Sequence, residues 1–178
     1  MMPIGPLMIE HRLIERMIAI MKKAVERFEK DKKADTYFMD TAIDFIKIYA
    51  DKCHHGKEED ILFHDLKKKK ISPEIARIMN ELISEHVFGR NTLNKLIQSK
   101  EKYAEGDSSS LDSIIENMKT LCDFYPRHIE KEDKHFFLPC MKYFSAAEQK
   151  QMLGEMWEFD RNMIHKKYKE VLADLEHK

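Results

Sequence analysis

Two copies of one motif constrain this chain more than anything else in it. They read His54-His-Gly-Lys-Glu58-Glu-Asp and His128-Ile-Glu-Lys-Glu132-Asp-Lys: His-x-x-Lys-Glu followed by a second acid. On an α-helix, residues four apart share a face, so His54 with Glu58, and His128 with Glu132, can each address one centre. A histidine and a carboxylate from each of two helices is the inward-pointing ligand scheme of carboxylate-bridged metal sites in four-helix bundles. His55 and Glu59 compete, because they have the same spacing. Alignment of the two copies selects His54 and Glu58, since a one-residue shift turns an α-helix by about 100°.

The rest of the chain supplies the helices such a scheme needs. Leu7, His11, Ile14, Ile18, Met21, Val25 and Phe28 follow steps of four and three, which predicts a bundle seam from about Pro6 to about Lys30, with His11 pointing inward. Asp35 or Thr36 caps a second helix, in which Met39, Ile43, Ile46 and Ala50 lead to His54 and Glu58. Gly56, between those ligands, costs up to ~1 kcal/mol relative to Ala in a helix, so something else must hold this turn; a metal would do it. Ser72-Pro73 opens a third helix with the ladder Ile75, Met79, Leu82, His86, Gly89, Leu93 and Leu96, stopped at Gly106. Ser109 or Ser110, with Asp112 for a capping box, opens a fourth. Its seam is Leu111, Ile114, Met118, Leu121, Tyr125, His128, Glu132 and His135, kinked at Pro126. Ser145-Ala-Ala-Glu148 is a capping box that opens a fifth helix, carrying Met152, Met156, Phe159, Met163, Tyr168, Val171 and Leu175 and no clear ligand pair.

Short loops between long helices predict antiparallel neighbours. The expected fold is all-α: an antiparallel four-helix bundle over about residues 6–143, plus a C-terminal helix over about 145–177, in a single domain of residues 1–178. The ligands repeat with the helices. Glu10-His11, then His54 with Glu58, resembles Glu85-His86, then His128 with Glu132.

Composition narrows the function classes. With 31 Lys and Arg against 32 Asp and Glu, no basic excess points to nucleic acid. The Lys67-Lys-Lys-Lys70 run suits a solvated helix end. No signal peptide and no apolar run near ~18 residues is visible, so a membrane span is not expected. Cys53, Cys122 and Cys140 form no Cys-x-x-Cys and read as free thiols in a reducing cytoplasm. The methionines read as core filler, and His64, His165 and His177 as surface residues.

The inward set is then His11, His54, His86 and His128 with Glu58 and Glu132. If both carboxylates bridge two metals roughly 3.5–4 Å apart, each metal receives two imidazoles and two carboxylate oxygens. Two octahedral positions remain for water, oxygen or another small molecule. Mixed imidazole and carboxylate donors suit non-haem iron or manganese, and no thiolate points to structural zinc.

The motifs Ile9-Glu-His11, Cys-His54-His-Gly-Lys-Glu58-Glu-Asp-Ile-Leu-Phe, Glu85-His86 with Arg90, and His128-Ile-Glu-Lys-Glu132-Asp-Lys-His-Phe-Phe resemble the hemerythrin-like, or HHE cation-binding, family over roughly residues 7–143. The resemblance implies a four-helix bundle holding two iron ions, with His11, His54, His86 and His128 as terminal ligands and Glu58 and Glu132 bridging. It implies a protein that binds, senses or reacts with oxygen, peroxide or nitric oxide, or one that donates iron, senses it or repairs iron-sulfur centres. An enzyme of this kind would be an oxidoreductase reducing peroxide or nitric oxide with the help of a redox partner; a donor would need an iron-acceptor protein. Oxygen-carrying members have a fifth histidine one turn after the third-helix ligand. Here that position is Arg90, and the more symmetric set is closer to the repair-type and stress-type members. Around the set, Glu15 is expected as an outer acceptor or extra ligand, Tyr125 as a proton donor and His135 as a base, while Gly89 is expected to leave room for a small ligand.

Overall fold

The computed structural model describes residues 1–176, so His177 lies outside it, as do the side chains of Tyr168, Val171 and Leu175. Every regular element among the described residues is helical. Helix α1 is Ile4–Asp31. Helix α2 begins as Thr36–Asp44, continues through π-helical stretches Phe45–His55 and Glu58–Phe63, and ends with His64–Leu66. Helix α3 is Pro73–Ala104. Helix α4 begins as Ser110–Lys131, turns π-helical over Glu132–Phe136, and ends with Phe137–Met141. Helix α5 is Ala146–Glu176.

Local chemistry explains most of these ends. Asp35 accepts from Phe38 N–H at 3.0 Å and Ser72 from Ile75 N–H at 3.3 Å, each satisfying a donor that the first turn leaves free. Helix α3 stops before Gly106, whose φ of 104° is a conformation glycine adopts without a steric cost. Ser145 and Glu148 exchange bonds as a capping box: Ser145 N–H donates to Glu148 Oε2 at 2.8 Å, and Glu148 N–H to Ser145 Oγ at 3.3 Å. At the start of α4 the expected Asp112 box is replaced by Asp107, which accepts from Ser109 N–H and from the hydroxyls of Ser109 and Ser110. Helix α4 runs on through Pro126 as far as Lys131.

Helix α2 packs against α1 and α3, α4 against α1 and α3, and α5 against the π-helical part of α2. The four-three ladders of α1 and α3 are buried at every predicted position. The buried apolar side chains form two clusters. One holds Ile14, Ile18, Ala50, Leu93, Leu121 and Tyr125; the other holds Leu7, Leu62, Phe63, Leu82, Phe136 and Phe137. The seam histidines and glutamates of α1 to α4 fall where the two clusters meet, so the polar site is walled above and below by hydrocarbon. No helix among the described residues is long and apolar enough to cross a membrane.

Candidate metal centre

The predicted ligands converge. His11, His54, Glu58, His86, His128 and Glu132 are at most 2% exposed. His54 and Glu58 come from α2, His128 and Glu132 from α4, His11 from α1 and His86 from α3. Each glutamate divides its oxygens between two groups of imidazoles. Glu58 Oε1 lies 3.4 Å from His54 Nε2 and its Oε2 lies 3.3 Å from His86 Nε2. Glu132 Oε2 lies 3.1 Å from His11 Nε2, and its Oε1 lies 3.3 Å from His128 Nε2 and 3.8 Å from His86 Nε2. His11 Nε2 and His54 Nε2 are 2.9 Å apart.

A fifth histidine joins them. His55 is 2% exposed, and its ring stacks on His86 with centroids 3.9 Å apart and meets His128 edge-on at 5.4 Å. The donor atoms form two groups able to hold a metal: His55, His86 and His128, and His11, His54, Glu58 and Glu132. His54 keeps its predicted place, and His55, which the alignment of the two copies set aside, joins it, because both point inward. The 100° rotation that separated them holds for an α-helix. Residues 45–55 form a π-helix, whose wider i→i+5 turn rotates less per residue and so narrows the angle between His54 and His55.

An outer ring of carboxylates treats all five histidines alike. Nδ1 of His11 donates to Asp133 at 2.8 Å, of His54 to Glu10 at 2.9 Å, of His55 to Asp51 at 3.3 Å, of His86 to Glu59 at 2.6 Å and of His128 to Glu85 at 2.8 Å. A carboxylate can only accept, so each ring keeps its proton on Nδ1 and turns Nε2 inward; this is the orientation device of metal-ligating histidines. Each outer acid is in turn held by a cation: Arg12 on Asp133, Lys57 on Glu10, Arg90 on Asp51 and Glu59, and Lys131 on Glu85. The sequence carried a signal for this ring. Glu10 and Glu85 precede the lone histidines, and Glu59 and Asp133 are the second acids of the repeated motif.

The interior of the ring fits a cation. Nε2 of His55, His86 and His128 and both oxygens of Glu58 and Glu132 are buried without a hydrogen-bond partner. Each such orphan costs about 1–3 kcal/mol, which a fold does not accumulate at one point unless something else satisfies it. Imidazole nitrogens and carboxylate oxygens are donors suited to iron, manganese or zinc. Burial alone would lower His11 and His86, but Asp133 and Glu132 carry His11 up to about 10, and Glu132, Glu58 and Glu59 carry His86 up to about 11. His55 goes the other way: burial and the imidazoles of His86, His128 and His54 push it well below its ordinary value. It stands as a neutral imidazole, the ligating form.

The chain matches the model of the hemerythrin HHE cation-binding domain over residues 2–140. It belongs to that family. Membership accounts for the buried His and Glu clusters as a metal-binding site. Uncharacterized protein Rv1995 of Mycobacterium tuberculosis and Uncharacterized protein Mb2018 of Mycobacterium bovis are similar to it: each is 21% identical over 146 residues, covering 82% of this chain and 56% of theirs. The chain thus spans a little over half the length of these relatives. No solved structure matches it.

The structure places the remaining expected residues differently. Glu15 is part-exposed on α1, and its carboxylate pairs with Arg12 at 3.0 Å rather than with a ligand. His135 is exposed, because the π-helical turn at Glu132–Phe136 rotates it out and brings Phe136 into the seam. Gly89 leaves no free room: a Cβ there would lie 3.2 Å from Phe124, whose ring stacks on His128. Gly56 admits a helix rather than a metal, since a Cβ there would lie 2.8 Å from Phe159 of α5. Tyr125 is buried, with its ring parallel to His55 at 6.3 Å, and burial together with Asp51 raises its hydroxyl above the ordinary range. It lines a cleft of about 120 Å³ with Glu15, Ile18, Ala19, Lys22, Pro126 and Ile129.

Proposed function

We propose that this chain is a non-haem di-iron protein that binds and reacts with oxygen or a related small molecule such as peroxide or nitric oxide. One observation carries the reading: five imidazoles, each oriented by its own outer carboxylate, surround two glutamates whose buried oxygens make no hydrogen bond. One ion would be held by His11 and His54, the other by His55, His86 and His128, with Glu58 and Glu132 between them. The scaffold is read as an antiparallel four-helix bundle, α1 to α4, in one domain with α5 outside it. Bound iron would supply electrons and Lewis acidity toward the small molecule.

The unequal histidines give the site a direction. The His11 and His54 side has one imidazole fewer, so it is the side with room for an exogenous ligand. Tyr125 and Ile129 are the α4 residues matching Asp51 and His55 of α2 in the repeat, and both line the cleft that opens beside α1. With its hydroxyl kept protonated by burial, Tyr125, whose ring lies parallel to His55, would serve as a hydrogen-bond donor. The inequality favours ligand binding over iron donation. The test is anaerobic iron loading followed by separate additions of oxygen, peroxide and nitric oxide under an absorption spectrometer. A new visible band with at least one of them is expected. An iron-loaded protein whose spectrum none of them changes would rule the reading out.

A further inference from the structure

The two motif lysines are anchored in different ways. Lys131 is 28% exposed and is held within the helix pair that it belongs to, by Glu81 at 3.1 Å and by Glu85. Lys57 is 0% exposed and is held by Glu10 and by Asp160, which reaches it from α5 at 2.6 Å. We propose that α5 is a latch on the His11 and His54 side of the metal centre, with Asp160 as a positioning residue that fixes His54 through Lys57 and Glu10. The inference rests on the metal-binding reading above.

The chain of contacts is continuous and leaves little slack. Glu10 uses one oxygen for Lys57 and the other for His54 Nδ1, at 2.9 Å. Lys57 cannot turn to water from its buried position, so losing Asp160 leaves a buried ammonium with Glu10 to bear it alone. Glu10 is then drawn toward the lysine and away from the imidazole that it orients. The site of contact on α5 is built for close approach. Phe159 sits against Gly56, Met152 and Met156 belong to the apolar cluster below the site, and Cys53 Sγ donates to Asp160 at 3.3 Å. Glu10, Cys53 and Asp160 could by themselves hold a cation, but the Lys57 ammonium already fills that place. The repeat counterparts of Cys53 and Gly56 in α4 are Arg127 and Glu130, and α5 packs against the π-helical part of α2 that carries the first copy.

Coupling of this kind runs both ways. A metal on His54 Nε2 makes its Nδ1–H a stronger donor to Glu10, so metal loading tightens α5, and a docked α5 slows metal loss. The test loads the intact chain with iron(II) anaerobically and follows release to an excess of a chromogenic chelator. Hydrogen exchange over residues 152–160 is read with and without iron. For D160N we expect one of the two ions to leave on the order of tenfold faster, the range that outer partners of metal ligands command. D160E should restore the slow rate, and E81Q, the mirror change on Lys131, should leave it unmoved. Exchange in α5 of the wild type should slow on loading. Wild-type release rates in D160N, with α5 exchange indifferent to iron, would overturn the latch and leave the metal site standing. A wild-type chain that takes up no iron would overturn both.

Discussion

The two halves of the site are built from one plan and finished differently. In the first, Glu10, His11, Lys57, Glu58 and Glu59 correspond to Glu85, His86, Lys131, Glu132 and Asp133 in the second, and the correspondence extends to packing. Phe137 stacks on His11 at 5.5 Å and Phe63 stacks on His86 at 5.9 Å, both at 12°. Each half orients the other's lone histidine, since Asp133 holds His11 and Glu59 holds His86. The plan is broken where Asp51 and His55 face Tyr125 and Ile129, and where Gly56 faces Glu130. The first break adds an imidazole beside His86 and His128. The second brings a whole helix down on the other half. A repeat supplies a symmetric cradle, and a few substitutions then make one group of donor atoms unlike the other.

The largest effect should come from the residues that the halves share. Glu58→Ala or Glu132→Ala removes oxygens that face both groups of imidazoles, so each should lose at least one metal per chain with helix content retained. Metal analysis beside circular dichroism decides this, and full metal retention in both variants would mean that the bridging assignment is wrong. Next comes His55→Ala, which makes the two groups equal in imidazoles. It should weaken metal binding on the order of 100-fold, at the upper end of what even outer partners command, measured by competition with a chelator. An unchanged affinity would show that His55 only packs.

Smaller again is the contrast between Gly56 and Glu130. Gly56→Ala must displace Phe159, and inserting one methyl into a packed contact costs about 1–3 kcal/mol. Glu130→Ala, at the exposed counterpart, should stay within about 0.5 kcal/mol. Equal melting temperatures for the two variants would mean that α5 docks without needing the glycine. The smallest effect lies at the foot of α5. There Lys69, followed by the Ser145 N–H and hydroxyl, lowers the Glu148 carboxyl from 4.5 to about 2. Its folded value is depressed, so its contribution is present above about pH 4.5 and is lost as the pH falls toward about 2. The melting-temperature gap between wild type and Glu148→Gln should narrow over that window, and a constant gap would show that the charge is idle.

Much of this was legible in the chain. Seam spacing located the helices, Asp35, Ser72 and Ser145 marked their starts, and the repeated motif named the residues that line the centre. The misses at His55 and His135 trace to one assumption, that every helix is an α-helix. The π-helical turns at Phe45–His55 and Glu132–Phe136 change the rotation per residue, which brings His55 in and sends His135 out. Local sequence carries no counterpart of a cap or a proline for such a turn. The other misses are tertiary. Gly56 was read against its own helix and Gly89 as room for a small ligand, but each owes its lack of a side chain to an aromatic ring arriving from another helix, Phe159 and Phe124. Glu15 sits one turn from His11, but it has an arginine within reach at the surface and no need to point inward.

The central claim is that five histidines and two glutamates hold two metal ions. The most direct measurement is an anaerobic iron(II) titration of the metal-free chain, read to its equivalence point by absorbance and confirmed by metal analysis after desalting. The account predicts saturation at two ions per chain. Saturation at one ion, or no uptake at all, would contradict it.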